Sequence, residues 1–488
     1  MPARKGIVSF GFARQFIAGC ENYFIAPTAW YYVQSLGQDQ LFLAIVLCSF
    51  NVAVIIGGPL FGRMVDWFGH PRLIFLFTCF LKLVSYIVYS INISPYFPLI
   101  GRIISGLGAA GGGAIILGQV ALQTEVKDRS ETFVILEGMY CLGATFGPAV
   151  GSFVSFDVTV WGWHINQGNS PGVVLLVVWI IFSIVAILLP EHIWLDTEAD
   201  KKEIVSLESQ DEGDITDKSS STNDPTDDQN LTELHSKVYQ GLTEHDANVD
   251  RYLNKDYPGN IPENGRIKPG DRRTVADSVR DKGKIEWSLR IVCLLFLTFT
   301  NEVFSSTATF YVPILAIDHY HLELIHVKLY FLNCTLFTLL VFVLFSLASG
   351  RIDERKLFLI ALGMQFAAVS LLTLIGFMFD HTMQAQNYVL LLYICLGMPY
   401  FAFPFSNSIL SKITDPRNAA FYQGSSFASM HCGIVASRVA LGFVSTKESL
   451  IIYCFVLVLL WTAGFFWFAN HYKRFSASEQ KHKGSQKH

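Results

Sequence analysis

Long apolar stretches, separated by short polar segments, run along most of this chain of 488 residues. Each stretch reaches roughly 20 residues, which is the helix length needed to cross a hydrocarbon core of about 30 Å. The pattern predicts twelve membrane-spanning helices in a six-plus-six arrangement, at 7–34, 41–61, 72–91, 97–122, 133–156, 171–190, 288–315, 324–348, 356–378, 387–413, 420–445 and 449–470. We therefore expect an all-α membrane protein made of two pseudo-symmetric six-helix halves.

The segment between the two sets of spans has the opposite composition. It is rich in Asp, Ser, Asn and Gly and poor in aromatic residues, so it cannot bury enough apolar surface to fold alone. We expect an N-terminal half at 1–190, a disordered cytosolic linker at 191–287, a C-terminal half at 288–472 and a cytosolic tail at 473–488. Within the linker, Tyr239-Gln240-Gly241-Leu242 has the form of a tyrosine-based sorting signal, which would bind sorting adaptors.

Lysine and arginine are distributed unevenly between the two sides of the predicted membrane. If the N-terminus is cytosolic, the outer loops contain only Lys447. The inner segments then contain Arg4, Lys5, Arg63, Arg72, Lys127, Arg129, Arg351, Arg355, Lys356, Lys412, Arg417, Lys473 and Arg474. Because basic residues accumulate in cytosolic loops, we expect both termini to be cytosolic.

The composition argues against several classes of function. Apolar residues make up 51% of the chain and charged residues only 16%, which is far from the composition of a soluble domain. The sequence has no nucleophile with an adjacent base, no metal-ligand spacing and no phosphate-binding loop. We therefore expect no enzyme activity, no cofactor, no metal and no nucleic-acid partner; the predicted partners are the lipid bilayer and a small-molecule or ion substrate.

Glycines mark two segments of the N-terminal half, one in an inner loop and one in the fourth span. The segment after the second span has the sequence GRMVDWFGHPR, in which Gly62 would let helices approach closely and Gly69 would turn the chain. Asp66 would cap or charge-pair at a helix end, and Arg72 closes the segment. The fourth span, at 97–122, contains GRIISGLGAAGGG near its start, with Arg102 near the outer third of the membrane.

The fifth span contains GATFGPAVG, which places Gly143, Gly147 and Gly151 four residues apart. Such spacing gives a helix a smooth face on which a neighbouring helix can pack. Pro148 is expected to kink this helix.

These three segments resemble signature motifs of the major facilitator superfamily, and they occur in the matching spans and in the matching order. The second inner-loop copy, SGRIDERK at 349–356, lacks the second glycine of its motif. Segments 165–192 and 396–424, together with the span around Glu302, are similar to a lysosomal subgroup, the major facilitator superfamily domain-containing protein eight group, which is linked to ceroid lipofuscinosis. The resemblance implies the major facilitator fold, transport by alternating access and a lysosomal or endosomal membrane, with the plasma membrane as the alternative.

Two spans carry an acidic residue in similar surroundings, CENYFIAPTAWYYV around Glu21 and NEVFSSTATFYV around Glu302. Both acids lie about 21 Å from the inner ends of their spans, and Arg102 reaches a similar height from the outside. Intramembrane carboxylates commonly line an ion or substrate path, and the resemblance implies that these three residues face one cavity. We expect a Glu–Arg–Glu cluster that couples transport to protons; the alternative is a salt-bridge network that only fixes helix packing.

Further polar residues inside the spans are candidates for contacts with a substrate or an anion. They are Lys82, His431, Arg438, Asn407 and Tyr400. Buried cations attract anions, and histidine titrates near endosomal pH. The predicted function is secondary active transport of a small solute across an endolysosomal membrane, coupled to protons. Two alternatives stay open: a passive anion channel with the same fold, and a sensor or scaffold that transports nothing.

Overall fold

A computed structural model describes residues 2–153, 156–160, 163–194, 285–316, 320, 324–378, 384–399, 401–444 and 446–475. The chain divides into one compact unit, formed by Met1–Glu198 and Gly283–His488, and a second unit of Ala199–Lys282. The predicted sorting signal, most of the predicted linker and most of the predicted tail lie outside the described residues.

The first half contains seven helices and one short hairpin in its described part. The helices are α1 Pro2–Phe24, α2 Ala26–Ser35, α3 Gln40–Phe68, α4 Pro71–Tyr89, α5 Tyr96–Gln123, α6 Arg129–Phe153 and α7 Ser170–Leu188. Between α6 and α7, strands β1 Val158–Val160 and β2 Trp163–Ile165 pair in antiparallel register, with Thr159 opposite His164. This hairpin departs from the all-α expectation, but it lies in a connecting loop and leaves the helical fold unchanged.

The second half also contains seven helices in its described part. They are α8 Leu289–Ile314, α9 Leu324–Ser349, α10 Glu354–Phe377, α11 Gln384–Gly397, α12 Phe403–Ile413, α13 Ala419–Leu441 and α14 Lys447–His471. Two prolines explain why the twelve predicted spans contain fourteen α-helices. Pro27 and Pro404 each occupy the first turn of a new helix, α2 and α12, where proline's missing N–H group is tolerated. The first and tenth spans, predicted as continuous helices, are therefore each built from two.

Eight of the described helices are by themselves long and apolar enough to cross a membrane. They are α3, α4, α5, α7, α8, α9, α10 and α14. The other four predicted spans correspond to α1–α2, α6, α11–α12 and α13. Two of these spans are divided by breaks and all four contain polar residues. Both features lower the mean hydropathy of any continuous helical segment within them.

The loops that contain Gly69, Lys127, Arg351 and Arg417 share one end of the helix bundle, which we call the basic end; we call the other the opposite end.

Helix α3, which leads to the first of these loops, is defined at both termini by its own residues. The side chain of Asp39 caps the start of α3 by accepting a hydrogen bond of 2.9 Å from the N–H of Phe42. Gly69 ends α3 with φ at 70°, a conformation that glycine adopts without strain. The expected turn at Gly69 is therefore present.

The two halves pack against each other through a small set of helices. In the first half these are α3, α5 and α6, and in the second they are α9, α12 and α13. Helix α13 contacts both α3 and α5, while α6 contacts α9 and α12. Side chains on these helices therefore lie where the halves meet, and they include Arg102, Glu137 and Arg438.

Candidate functional site

Glu21 and Lys82 form a buried ion pair inside the first half, with exposed side-chain fractions of 2% and 1%. The ammonium of Lys82 also donates a hydrogen bond of 3.1 Å to the hydroxyl of Ser105. The same Glu21 oxygen accepts hydrogen bonds from the hydroxyls of Tyr86 and Ser105, the latter at 3.0 Å. Three donors thus satisfy one carboxylate oxygen, as a buried charge requires. We call this set the paired cluster.

Arg102 lies beside the paired cluster but is not bonded to it. Its guanidinium lies over the ring of Phe50 at 4.4 Å from the ring centre, an arrangement that favours a cation. The Nε and Nη1 atoms of Arg102 are buried and have no hydrogen-bond partner among the described residues. Across the interface between the halves, Arg102 interacts electrostatically with Arg438. Glu21 also belongs to the electrostatic surroundings of Arg102.

Glu302 lies in a second group of ionisable side chains, which we call the interface cluster: Glu137, Cys141, Glu302 and Arg438. The side chain of Glu302 is 1% exposed, and its Oε2 atom has no hydrogen-bond partner among the described residues. It interacts electrostatically with Glu137 and Arg438. Cys141, one helical turn after Glu137 on α6, interacts with both carboxylates.

The predicted Glu–Arg–Glu cluster is therefore wrong in its pairing. Glu21 is bonded to Lys82 and not to Arg102; the substrate contact expected for Lys82 stays a prediction. Glu302 has Glu137 and Arg438 as its charged neighbours. Depth along a helix was estimated correctly enough to place these residues in the interior, but depth does not fix the direction in which a side chain points.

The remaining candidate contacts have different surroundings. The Nδ1 atom of His431 lies 2.9 Å from the carbonyl oxygen of Phe427, and the two rings contact edge to face. Asn407 is buried, and its side-chain oxygen accepts a hydrogen bond of 2.6 Å from Ser426. That bond lies within the second half and joins α12 to α13. Tyr400 lies outside the described residues.

Near the basic end the backbones of the two halves approach each other closely, because the glycines there have no side chain. A Cβ atom placed on Gly58 would lie 2.4 Å from the carbonyl oxygen of Gly424, and one on Gly62 would lie 2.4 Å from that of Ala420. Asp66 accepts hydrogen bonds from the backbone N–H groups of Ala420 and Phe421, at 3.2 and 2.7 Å. It therefore caps the first turn of α13 from the other half, where a negative charge is also favoured by the helix dipole.

Two arginines strengthen this contact, which we call the basic-end gate. Arg63 donates a hydrogen bond of 2.7 Å to the side-chain oxygen of Asn418. Arg129 donates one of 3.2 Å to the carbonyl oxygen of Ser411. Arg72, the last residue of the same motif, instead binds within its own half, to the carboxylate of Glu191 and to the carbonyl oxygen of Ile187.

The second inner-loop copy does not repeat this contact. Asp353 caps its own helix α10 by accepting a hydrogen bond of 2.9 Å from the N–H of Arg355. The hydrogen bond from the Arg355 side chain lowers the pKa of Asp353 below its usual value. In this copy, which lacks the second glycine of the motif, the aspartate therefore caps its own helix, whereas Asp66 caps a helix of the other half.

The glycines of the fifth span lie where α6 crosses α1. A Cβ atom on Gly143 would lie 2.0 Å from the carbonyl oxygen of Phe16, and one on Gly147 would lie 2.4 Å from that of Cys20. The two helices therefore pack backbone to backbone, as the spacing predicts. Gly151 and Pro148 belong to the same helix, which continues to Phe153.

Sequence reasoning missed three buried polar residues of the interior. The guanidinium of Arg14 donates hydrogen bonds to the carbonyl oxygen of Ala109 and to the side chain of Gln15, at 2.9 and 2.6 Å. Glu137 and Gln365 are buried on α6 and α10. The signal was present for Glu137, because it interrupts the apolar sequence FVILEGMYC inside the fifth span.

Comparison with solved structures gives the same fold over nearly the whole chain. The human organic anion transporter MFSD10 superposes with a TM-score of 0.60 at 14% identity, over 95% of this chain and 100% of that one. The proton:xylose symporter XylE superposes with a TM-score of 0.63 at 15% identity, over 94% and 95%. At these identities the likeness shows the fold alone.

Curated relatives match shorter stretches. An uncharacterised transporter of Bacillus subtilis, YfiU, is 28% identical over 36% of this chain and 34% of its own length. Major facilitator superfamily domain-containing protein 8 of Xenopus laevis is 27% identical over 42% of this chain and 41% of its own length. An SPX domain-containing membrane protein of Arabidopsis thaliana is 26% identical over 42% and 30%. The chain therefore spans less than half the length of these relatives.

A sequence model of the Major Facilitator Superfamily matches residues 12–437. That match includes the basic-end gate, both clusters and most of the helices of each half. The chain therefore belongs to the Major Facilitator Superfamily and is a multi-pass membrane protein.

Proposed function

We propose that this protein is a secondary active transporter that moves a small solute by alternating access and couples its movement to protons. The proposal places it in an endolysosomal membrane with both termini and the linker in the cytosol. The observation that carries the coupling is Glu302, a buried carboxylate packed against Gly433 of α13, with one oxygen that has no hydrogen-bond partner among the described residues. Such a carboxylate changes its charge when a proton binds, and α13 also contacts the first half, which must move relative to the second during transport.

The contacts along α13 support alternating access. Near the basic end its backbone at Gly424 meets the backbone of α3 at Gly58. Further along, the contact is between rings, with His431 and Phe50 centred 6.3 Å apart. The backbone contacts, together with the hydrogen bonds that Asp66 accepts from α13, lie near the basic end, which fits a gate that is closed on that side.

The solved structures with the same fold include proton-coupled transporters, although they are other proteins. XylE is described as a proton:xylose symporter, and FucP of Escherichia coli as a fucose:proton symporter. FucP superposes with a TM-score of 0.58 at 10% identity. The endolysosomal location depends on the resemblance to the lysosomal subgroup, and the relative from Xenopus laevis belongs to the group of that name.

A passive anion conductance is the second candidate function, and Arg102 favours it. Two of its guanidinium nitrogens are buried without a hydrogen-bond partner among the described residues, and Arg438 is a second cation in its electrostatic surroundings. Basic residues of this kind line pores that select anions. In this function no carboxylate needs to change its protonation. The non-transporting sensor has no comparable feature among the described residues.

Metabolite profiling of organelles with and without the protein would first identify the solute that accumulates. Proteoliposomes preloaded with that solute would then take up labelled solute faster if the protein is a carrier, whereas a channel shows no such trans-stimulation. Accumulation driven by an imposed pH gradient would support proton coupling. Uptake that ignores both the preloaded solute and the gradient would refute the proposal and favour the conductance.

A further inference from the structure

Residues 285–287, which the sequence assigns to the end of the linker, lie against the start of α13; we call them the strap. The structure describes all three of them and Ser288, the residue that follows. Ser288 caps the start of α8 by accepting a hydrogen bond of 3.3 Å from the N–H of Ile291. Ile285 packs against the hydrophobic core of the second half. The strap is therefore held at both of its ends.

The phenol of Tyr422, a buried residue of α13, binds the backbone of the strap in both directions. Its oxygen accepts a hydrogen bond of 3.0 Å from the N–H of Glu286. Its hydroxyl donates one of 3.0 Å to the carbonyl oxygen of the same residue. A phenol has one hydrogen to donate and lone pairs that accept, so both bonds form together. Tyr422 thus pairs both backbone groups of Glu286, as a neighbouring strand would.

An aromatic contact adds to these hydrogen bonds. The ring of Trp287 packs edge to face on the rings of Phe421 and Tyr422, with centroids 5.9 and 6.4 Å apart. The rings of Phe421 and Tyr422 also contact each other, at 5.5 Å. Aromatic pairs favour this geometry and stabilise a contact beyond the area that they bury. Trp287 is itself 55% exposed, so its replacement would remove the contact without opening a buried cavity.

The same turn of α13 takes part in the basic-end gate. Asp66 of α3 accepts hydrogen bonds from the N–H groups of Ala420 and Phe421. A Cβ atom on Gly62 would lie 2.8 Å from the Cα atom of Phe421. One on Gly118 of α5 would lie 2.8 Å from the Cα atom of Ala420. Phe421 therefore gives its N–H group to the first half and its ring to the strap.

Two contacts that share one helical turn depend on each other. The first N–H groups of a helix have no partner within it, and helix ends open more easily than the middle. The cap by Asp66 forms only while the first turn of α13 is ordered, and the strap orders that turn. Docking of the strap therefore favours closure of the gate, and by linkage closure favours docking by the same factor.

We propose that the strap holds the basic-end gate closed through its contacts with Phe421 and Tyr422, and that opening of the gate loosens the strap. The inference rests on the proposed function for the opening itself, because alternating access requires the gate to separate. Trp287 and the backbone of Glu286 are then positioning groups, which act through α13 and touch no solute. A strap that only joined the linker to α8 would dock equally well with the gate open or closed.

Hydrogen–deuterium exchange of the purified full-length protein in lipid nanodiscs tests this without a known solute. Mass spectrometry follows the amides of residues 419–424 in the wild type, in Trp287→Ala and in Tyr422→Phe, which loses both hydrogen bonds to the strap and keeps its ring. Tyr31→Ala is the matched control, because Tyr31 is an exposed aromatic residue on α2. In Asp66→Ala, which removes the cap from the other half, the amide of Glu286 is followed instead.

We expect both strap variants to raise the exchange rate of residues 419–424 by roughly tenfold, the effect of one or two lost contacts of this kind. Tyr31→Ala should exchange like the wild type. In Asp66→Ala the amide of Glu286 should also exchange faster, because docking and closure favour each other. If both strap variants leave residues 419–424 at the wild-type rate, the inference is wrong.

Asp66→Ala gives an independent measurement if a strap variant does not fold. Wild-type exchange at Glu286 in that variant would overturn the inference, because a strap that ignores the loss of the cap is not coupled to the gate. The outcome is also separable from that of the proposed function. Trans-stimulated uptake with uncoupled exchange refutes only the role of the strap. Coupled exchange in a protein whose uptake ignores both preloaded solute and the pH gradient refutes only the transport proposal.

Discussion

Replacing Lys82 by methionine would remove the cation of the paired cluster while nearly preserving the length of its side chain. Lys82 and Glu21 are 1% and 2% exposed, and the lysine also contacts the faces of Phe50 and Trp179 at 5.5 and 5.3 Å. Methionine can keep these ring contacts. It cannot donate to the carboxylate, which would keep only the hydroxyl donors of Tyr86 and Ser105.

The expected loss of stability follows from burial. Removing one partner of a buried ion pair leaves an uncompensated charge and costs about 3–5 kcal/mol. The pair of Lys127 and Glu125 provides the comparison, because its side chains are 77% and 53% exposed at an N–O distance of 3.0 Å. An exposed pair contributes about 0–1 kcal/mol, so Lys127→Met should leave the unfolding temperature nearly unchanged.

Thermal unfolding in nanodiscs, read by intrinsic fluorescence, would measure both variants against the wild type. Adding Glu21→Gln to Lys82→Met should recover most of the loss, because a neutral pair of similar volume replaces a lone charge. Lys82→Met would refute the ion pair if it unfolded at the same temperature as Lys127→Met. A double variant no more stable than Lys82→Met would show that methionine damages packing and not charge balance.

Four further predictions concern coupling, packing, the linker and the gate. Glu302→Gln should abolish accumulation driven by a pH gradient in proteoliposomes and leave solute exchange at least partly intact, because the amide cannot cycle a proton. Gly147→Leu should lower the unfolding temperature or cause a proton leak while solute binding persists, because a Cβ atom there would lie 2.4 Å from a carbonyl oxygen of α1. Deletion of residues 200–275 should keep reconstituted transport, because that composition cannot build a core. Asp66→Ala should speed maleimide labelling of a single cysteine at Ser411 by roughly tenfold, since a lost cap costs about 0.5–2 kcal/mol.

Matched variants separate these effects from general damage. Gly363→Leu is the control for the packing variant, since no atom lies within 4 Å of the position of its Cβ atom. Asp353→Ala is the control for the gate, because Asp353 caps its own helix and not the other half. Equal instability of both glycine variants, or equal labelling in both aspartate variants, would contradict the roles assigned here. A folded deletion variant without flux would show that the linker takes part in transport.

The membrane spans and the glycine motifs could be predicted because each depends on local sequence. The length of each apolar stretch predicts a membrane-spanning helix. A glycine indicates a possible close helix contact from its own position in the sequence. The carboxylate partners could not be predicted in the same way. Glu21 and Lys82 are 61 residues apart, and their contact depends on how α1 and α4 are rotated about their axes. Neither residue's neighbours in the sequence carry that information.

The burial of Glu137 depends on packing in the same way. The residue interrupts an apolar stretch of the fifth span, which indicates an acid inside the membrane. Its burial between helices depends on how α6, which begins at Arg129 and not at the predicted 133, is rotated against its neighbours.

The two halves repeat a pattern in sequence but use it differently. Lys82 and Gln365 are each the twelfth residue of their helices, α4 and α10, which are the third spans of their halves. Lys82 binds Glu21, whereas Gln365 donates a hydrogen bond to the side chain of Asn301, the residue before Glu302. An amide at this position gives the second half a neutral contact in place of an ion pair. The acid of the first half is therefore compensated by a cation, whereas Glu302 keeps an oxygen without a hydrogen-bond partner among the described residues, as the proposed proton exchange requires.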